Sequence, residues 1–202
     1  MLVERKNKMS AQGKRKLKLQ VQMTVDGFVC GPNGEQDWMN MNWDNKIMNY
    51  VNELTDSVDT ILLGRKMTEG FMSYWTSVKP ESPEYPFARK MVDKPKFVFT
   101  KTLEKSTWIN TKLAKGNLIE EVNNIKQQPG KGIIVYGGAT FVSSLVKNNL
   151  IDEYHLFINP AAIGKGISIF KEINKNFNLK LVNSVSFECG IVMNQYEPVK
   201  NN

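Results

Sequence analysis

From Leu17 to Val25 the odd-numbered positions of the chain are all apolar, and the residues between them are polar or charged. This period of two predicts a β-strand with one buried face. The strand pattern ends at Asp26-Gly27, a dipeptide that favours a tight turn. A loop rich in glycine, proline and asparagine follows over 31–34, and it closes on Asp37-Trp38.

Downstream, short apolar runs alternate with amphipathic stretches. Residues 76–86 contain three prolines and predict a surface loop. Residues 177–199 predict two strands joined near Glu188-Cys189-Gly190. Alternation of strands and helices, followed by a hairpin, predicts one α/β domain with a mainly parallel sheet and an antiparallel edge. The predicted strands are 59–63, 96–100, 132–136 and 152–158, and the predicted helices are 43–55, a stretch after Gly64-Arg65, 118–125 and 139–149.

The positive charge of the chain is concentrated near its N-terminus. The formal net charge is +7, yet residues 1–16 alone carry six basic side chains against one acidic side chain. We therefore predict a basic, disordered tail over 1–16 and a nearly neutral domain over 17–199. A nucleic-acid-binding protein would depend on this tail alone, so nucleic acid is not an expected partner.

Composition argues against several other classes of protein. No apolar run approaches the length of a membrane span, and the N-terminus has no apolar signal core, so we expect a cytoplasmic protein that does not insert into membranes. His155 is the single histidine, and Cys30 and Cys189 lack the spacing of metal ligands. A metal site or a Ser–His–Asp triad is therefore not expected.

Three segments place glycines, cations or hydroxyls where strands end, the edge at which open α/β sheets bind ligands. They are Gly64-Arg65-Lys66, Thr100-Lys101 and Gly137-Gly138-Ala139-Thr140. Glycines between a strand and a helix let backbone N–H groups approach a pyrophosphate, and arginine and lysine bind phosphate. Both features also have a structural explanation. The glycines could serve a turn that needs positive φ, and the cations could form a solvated basic rim. Together they favour a site for a 2′-phosphorylated dinucleotide.

Two further segments could serve a substrate. Asp26 is the acidic residue at the end of the first strand, and it is a candidate proton donor or substrate-orienting carboxylate. It is equally the residue type that a tight turn prefers. The indole of Trp38, beside Asp37, could cover a planar substrate or pack on the core.

These segments, in this order, resemble the dihydrofolate-reductase superfamily over about residues 17–199, and most of all the C-terminal reductase domain of the bifunctional riboflavin biosynthesis enzyme. The resemblance implies a three-layer α/β/α fold, a homodimer and NADPH as hydride donor for a small-molecule substrate. The phrases that carry it are Thr24-Val25-Asp26-Gly27, Gly34-Glu35-Gln36-Asp37-Trp38, Leu62-Leu63-Gly64-Arg65-Lys66, Val135-Tyr136-Gly137-Gly138-Ala139, Leu150 to Leu156, and Asn159-Pro160 to Gly166.

The resemblance also implies roles for particular residues. The 2′-phosphate would be surrounded by Arg65, Lys66, Thr100 and Lys101. Gly64, which precedes Arg65, would also belong to the cofactor site. The residues along the pyrophosphate and nicotinamide would be Gly137, Gly138, Ala139, Thr140 and Phe141. The residues that face the substrate would be Asp26, Asp37, Trp38 and Tyr136. The resemblance further implies that this substrate is a pyrimidine-, pterin- or sugar-like compound and that the protein reduces it.

The chain departs from the family pattern at two places. Met67 stands where the family has a hydroxyl that contacts phosphate. Ile47 and Met48 lie near the position of the carboxylate that grips the pterin in dihydrofolate reductases, and Asp44 lies about one turn earlier. Folate reduction is therefore an alternative, and an NADPH-binding protein without turnover is another.

Overall fold

The computed structural model describes residues 14–199 of the chain. Eight strands and five helices form there. The strands are β1 (Leu17–Thr24), β2 (Val58–Gly64), β3 (Lys96–Phe99), β4 (Thr111–Ala114), β5 (Gly132–Val135), β6 (Glu153–Asn159), β7 (Leu179–Ser186) and β8 (Val192–Pro198). The helices are α1 (Asn45–Asp56), α2 (Arg65–Ser77), α3 (Tyr85–Asp93), α4 (Leu118–Gln127) and α5 (Ala139–Lys147).

The strands form one sheet in the order β4-β3-β2-β5-β1-β6-β8-β7. All pairs from β4 to β6 are parallel, and β8 is antiparallel to both β6 and β7. The prediction of a mainly parallel sheet that ends in an antiparallel hairpin is therefore confirmed.

Helices cover both faces of the sheet, which gives the three-layer architecture that the resemblance implies. On one face the odd-numbered residues of β1 pack with Val122 and Ile125 of α4 and with Val142 and Leu145 of α5. On the other face α2 and α3 cover β2 and β3, and α1 covers β6 and β8. The buried face that the alternation from Leu17 onward predicts is therefore the face of β1 that packs against α4 and α5.

Two elements within the described residues have no counterpart in the predicted set, α3 and β4. Pro86 made the start of α3 resemble loop sequence, but it lies in the first turn, where a proline without N–H costs no helical hydrogen bond. Strand β4 is four residues long and lies at the edge of the sheet, so its side chains lack a clear apolar period.

The predicted boundary between tail and domain lies too late in the chain. Arg15 is buried, and its guanidinium binds Asp59, Thr60 Oγ1 and the carbonyl of Lys131. Lys16 forms an ion pair with Glu153. Residues 14–16 thus belong to the folded domain, and residues 1–13 of the predicted tail lie outside the described part of the chain.

None of the helices between residues 14 and 199 is long and apolar enough to cross a membrane. Over the same residues, no cluster of three or more histidine, cysteine, aspartate or glutamate side chains could hold a metal ion.

Glu153 is a buried carboxylate at the start of β6, and it gives the fold a specific acid sensitivity. His155 Nε2 is 3.6 Å from its Oε2 atom, longer than a hydrogen bond, whereas Lys16 and Lys18 place ammonium groups at 2.8 and 3.4 Å. The imidazole and the two ammonium groups lower the pKa of Glu153 from 4.5 to about 2.

We predict that this carboxylate stabilises the folded state above pH 4.5 and that the stabilisation is lost as the pH falls from about 4.5 to about 2. A shift of this size corresponds to about 3 kcal/mol. Chemical denaturation at a series of pH values should therefore show a shallower acid decline for Glu153→Gln than for the wild type. Parallel declines in the two proteins would contradict this role.

Candidate cofactor and substrate site

The carboxyl ends of the parallel strands lie along one edge of the sheet, and the predicted site residues gather there. β1 lies between β5 and β6. Leu19 pairs with Val135 in β5, and Thr24 pairs with Asn159 in β6. Segments 25–38, 136–138 and 160–166 leave these three neighbouring strands, so the topology brings them together.

The first turns of α2 and α5 are neighbours at this edge. Gly64 and Gly138 are their N-cap residues, and neither helix start receives a side-chain cap. A Cβ on Gly138 would lie 3.7 Å from Met67. Open backbone N–H groups at two adjacent helix starts form a surface suited to an anion.

Gly137 and Gly138 adopt φ angles of +105° and +81°. Both values lie in the left-handed region that favours glycine. The structural explanation of this pair is therefore correct, because the turn does need positive φ. The same turn places the backbone of 137–138 at the start of α5, so the phosphate-binding explanation remains compatible with it.

Arg65 and Lys66 begin α2, and both side chains are exposed. Within residues 14–199 neither of them joins an ion pair. Two cations at a helix N-terminus oppose the helix dipole, so they add no local stability and are available to an anionic ligand.

Thr100 and Lys101 are less available than the sequence suggests. The Thr100 hydroxyl accepts hydrogen bonds from the backbone N–H groups of Thr102 and Leu103, both at 3.1 Å. The Lys101 ammonium donates to the carbonyls of Lys115 and Gly116 at 2.9 and 2.8 Å. These contacts order the loops after β3 and β4, so both residues shape the edge of the sheet there.

Phe141 and Gly64 set the distance between α5 and the sheet. The Phe141 ring lies 4.9 Å from the Phe99 ring. A Cβ on Gly64 would lie 2.7 Å from the Phe141 Cβ atom. The side chain of Phe141, predicted along the cofactor, therefore packs inward, and Gly64 is required for close packing. Ala139 and Thr140 lie before it in the first turn of α5.

Tyr136 lies on the α1 side of the sheet beside the edge. Its ring stacks on Phe71 with an interplanar angle of 26°, and its hydroxyl is 3.3 Å from Thr55 Oγ1. Burial raises the pKa of Tyr136, so the phenol stays neutral. A neutral, half-buried phenol can present an aromatic wall, and its hydroxyl is directed at α1.

Asp26 ties two loops of the edge together. Its Oδ2 atom accepts hydrogen bonds from the N–H groups of Ile163 and Gly164 at 3.0 and 2.7 Å. The side chain of Thr24 and these N–H groups lower the pKa of Asp26. The ionised form is thereby favoured, which suits a positioning carboxylate better than a proton donor.

Asp37 and Trp38 line a cavity of about 150 Å³ at this edge. Ile163 and Lys165, from the loop that Asp26 holds, line the same cavity. No binding role for Gly164-Lys165-Gly166 is predicted from the sequence. The signal that could have found it is the cation between two glycines directly after a strand, but the partner segment lies over 120 positions earlier in the chain.

Known proteins share sequence with most of the chain. The family model of the RibD C-terminal domain matches residues 15–193. A curated relative is the uncharacterized protein YyaP of Bacillus subtilis (strain 168), which is 34% identical over 186 residues that cover 90% of this chain and 94% of YyaP.

Solved structures share the fold at low identity. The diaminohydroxyphosphoribosylaminopyrimidine deaminase/5-amino-6-(5-phosphoribosylamino)uracil reductase of Thermotoga maritima is 16% identical, with a TM-score of 0.65 over 92% of this chain and 57% of that chain. Dihydrofolate reductase of Enterococcus faecalis, in complex with NADP(H), is 15% identical, with a TM-score of 0.59 over 92% of this chain and 97% of that chain.

We predict that Gly64→Ala destabilises the fold by about 1–3 kcal/mol, because the added methyl group overlaps Phe141. Gly70 is the matched control. It is exposed in the same helix, and a Cβ there meets nothing within 4 Å. Gly70→Ala should stabilise by about 0.5–1 kcal/mol through helix propensity. Urea denaturation measures both changes, and equal effects of the two substitutions would contradict the packing role of Gly64.

For Asp26 we predict a local effect. Asp26→Ala removes the acceptor that holds Ile163 and Gly164, so hydrogen exchange of these two amides should accelerate severalfold. Asp26→Asn keeps a side-chain oxygen and should have a smaller effect. Unchanged exchange in Asp26→Ala would show that Asp26 does not order this loop.

Proposed function

The chain belongs to the RibD C-terminal domain family, and we propose that it is an NADPH-dependent reductase of a small pyrimidine- or pterin-like compound. The observation that carries the proposal is the pair of adjacent, uncapped helix starts with Arg65 and Lys66 exposed at one of them. This arrangement matches the charge of a 2′-phosphorylated dinucleotide.

The residues along this edge of the sheet suit successive parts of NADPH, from the 2′-phosphate at the start of α2 to the pyrophosphate at the start of α5. Arg65 and Lys66 would hold the 2′-phosphate, since arginine can donate two parallel hydrogen bonds and lysine adds a positive charge. The backbone of 137–140 would bind the pyrophosphate. The thioether of Met67, 3.7 Å from a Cβ on Gly138, would contribute packing where the family has a hydroxyl.

When bound, NADPH supplies a hydride. The protein then has to orient the substrate, exclude water and support a proton transfer. Trp38 and Tyr136 offer aromatic walls for a planar ring, and the ionised Asp26 keeps the 160–166 loop in place. Because the pKa of Asp26 is lowered, we propose that solvent rather than this carboxyl group supplies the proton.

Reduction of dihydrofolate is the alternative activity, and one contact argues against it. Asp44 is the acidic residue at the start of α1, yet its two oxygens already accept hydrogen bonds from the N–H groups of Ile47 and Glu188 at 2.9 and 2.8 Å. It caps the helix and holds the backbone of Glu188, so binding of a pterin by this carboxylate would compete with both contacts. This favours a substrate that is recognised without a carboxylate.

The homodimer stays a prediction. Its support is the β7–β8 hairpin, where Leu181, Val182 and Val192 are exposed by 51%, 49% and 36%. A second copy of the chain could cover these apolar side chains.

The cofactor part of the proposal is tested by fluorescence titration with NADPH and with NADH. We expect NADPH to bind at least tenfold more tightly, about 1.4 kcal/mol. Arg65→Ala should weaken NADPH binding about tenfold and leave NADH binding nearly unchanged, because only NADPH carries the 2′-phosphate. Arg89→Ala is the matched control, since Arg89 is exposed on α3 and pairs with Asp93.

Equal binding of the two cofactors, or equal effects of the two substitutions, would contradict the assignment of Arg65. The reductase part is tested by NADPH oxidation with 5-amino-6-(5-phosphoribosylamino)uracil and with dihydrofolate. Oxidation with the uracil compound supports the proposal. Tight NADPH binding without oxidation of either compound would favour the non-catalytic binding protein instead.

A further inference from the structure

The α1-facing side of β1 and β6 carries several polar side chains next to apolar ones such as Phe157. β1 contributes Gln20 and Gln22 to this face, and β6 contributes His155 and Asn159. Apolar residues fill the corresponding positions on the opposite face. Buried amides are costly unless they are hydrogen-bonded, so each of them requires an explanation.

Asn159 is fully buried, and its orientation is fixed by a backbone group. Its Oδ1 atom accepts a hydrogen bond from the backbone N–H of Asn40 at 2.9 Å. A backbone N–H can only donate, so the Asn159 amide cannot be turned around. Its Nδ2 atom therefore donates, to Gln22 Oε1 at 2.6 Å and to the carbonyl of Phe157 at 3.3 Å.

The orientation of Gln22 follows from that of Asn159. Because Gln22 Oε1 accepts the hydrogen bond from Asn159, the other amide atom of Gln22 is the nitrogen Nε2, which can only donate. This nitrogen is buried and has no hydrogen-bond partner within the described residues. Trp38 Nε1, on the wall of the cavity described above, is also buried without a partner, and it too can only donate.

Both unpartnered donors belong to the substrate end of the edge. Gln22 lies two residues before the end of β1, on the α1-facing side of the sheet, and its side-chain oxygen is bound by Asn159. Asn40, which fixes the chain of amides, lies two residues after Trp38. Segment 37–43 contains neither helix nor strand, and Asn40 anchors it through its backbone N–H to Asn159 and through its side chain to the carbonyl of Cys189.

We propose that Gln22 is a specificity-determining residue, whose amide N–H donates to a carbonyl oxygen of a planar lactam such as a dioxopyrimidine ring. The inference rests on the proposed function, since it concerns the substrate of the same site. A donor of fixed orientation selects a carbonyl oxygen over an amino group at the same ring position. A neutral amide also suits an uncharged ring, in contrast to the carboxylate with which a folate enzyme binds a protonated pterin.

The test uses two probes of similar shape, 5,6-diaminouracil and 4,5,6-triaminopyrimidine, of which only the first has carbonyl groups. Calorimetric titrations are made with and without NADP⁺, and NADPH binding is measured separately for every variant. Gln22→Leu removes the donor. Gln22→Glu also removes it but keeps an acceptor for Asn159, so it protects the test against loss of folding. Gln195→Leu is the control, a half-buried glutamine on the same face in β8.

We expect the wild type to bind the uracil probe at least tenfold more tightly than the carbonyl-free probe. Both Gln22 variants should lose at least tenfold in affinity for the uracil probe, about 1.4 kcal/mol, while Gln195→Leu stays within about twofold. NADPH affinity should stay within about twofold of the wild-type value in all variants.

The inference is overturned if the wild type binds the two probes equally or binds neither, or if the Gln22 and Gln195 variants lose the same affinity. A failure of the proposed function gives a different pattern, namely no NADPH binding by the wild type. The titrations without NADP⁺ would still decide the role of Gln22 in that case.

Discussion

The parallel pairing of β1 with β5 on one side and β6 on the other organises the rest of the molecule. Parallel strands end at the same edge of a sheet, so the segments that leave these three strands must meet. The register Leu19–Val135 and Thr24–Asn159 places the glycine turn, the Asp26 turn and the 160–166 loop side by side. A shift of one residue in β1 would exchange its polar and apolar faces and would remove the core and the site together.

The edge has two chemically different halves. At the α2 and α5 starts the backbone N–H groups and exposed cations suit a polyanion, and close packing of Phe141 against Gly64 holds the two helices there. Between β1, β6 and segment 37–43 lie neutral amides, an indole and a phenol, with the carboxylates of Asp26 and Asp37 and the ammonium group of Lys165 beside them. Hydrogen bonds across distant segments hold this second half, among them Asp26 to Gly164 and Asn40 to Asn159.

Much of the fold could be predicted from the sequence, because buried parallel strands and amphipathic helices have strong local periods. The strand over 59–63 and the glycine turn at 137–138 are examples. Short elements whose form depends on their neighbours were missed, such as β4, which exists through its pairing with β3. Arg15 looked like part of a charged tail because its partner Asp59 is 44 positions away in the chain.

Some residues of the candidate site also carry a local sequence signal, whereas others depend on contacts with distant parts of the chain. Arg65 and Lys66 stay predicted phosphate-binding residues, and their types and their place after a strand are the local signal for that prediction. Lys101 was placed correctly at the edge, but its ammonium is engaged by the carbonyls of Lys115 and Gly116, a contact between two loops that no local pattern encodes. Gln22 gave no signal at all, since a glutamine in an alternating strand ordinarily faces solvent. Its meaning depends on Asn159, 137 positions later.

The most direct test is a crystal structure of the protein with NADPH. We expect the 2′-phosphate within hydrogen-bond distance of Arg65 or Lys66, about 3 Å. The pyrophosphate should lie on the backbone of 137–140, and the nicotinamide should lie beside Tyr136 and the cavity of Asp37 and Trp38. A cofactor bound elsewhere, or crystals at saturating NADPH without bound cofactor, would contradict the assignment of this edge as a reductase site.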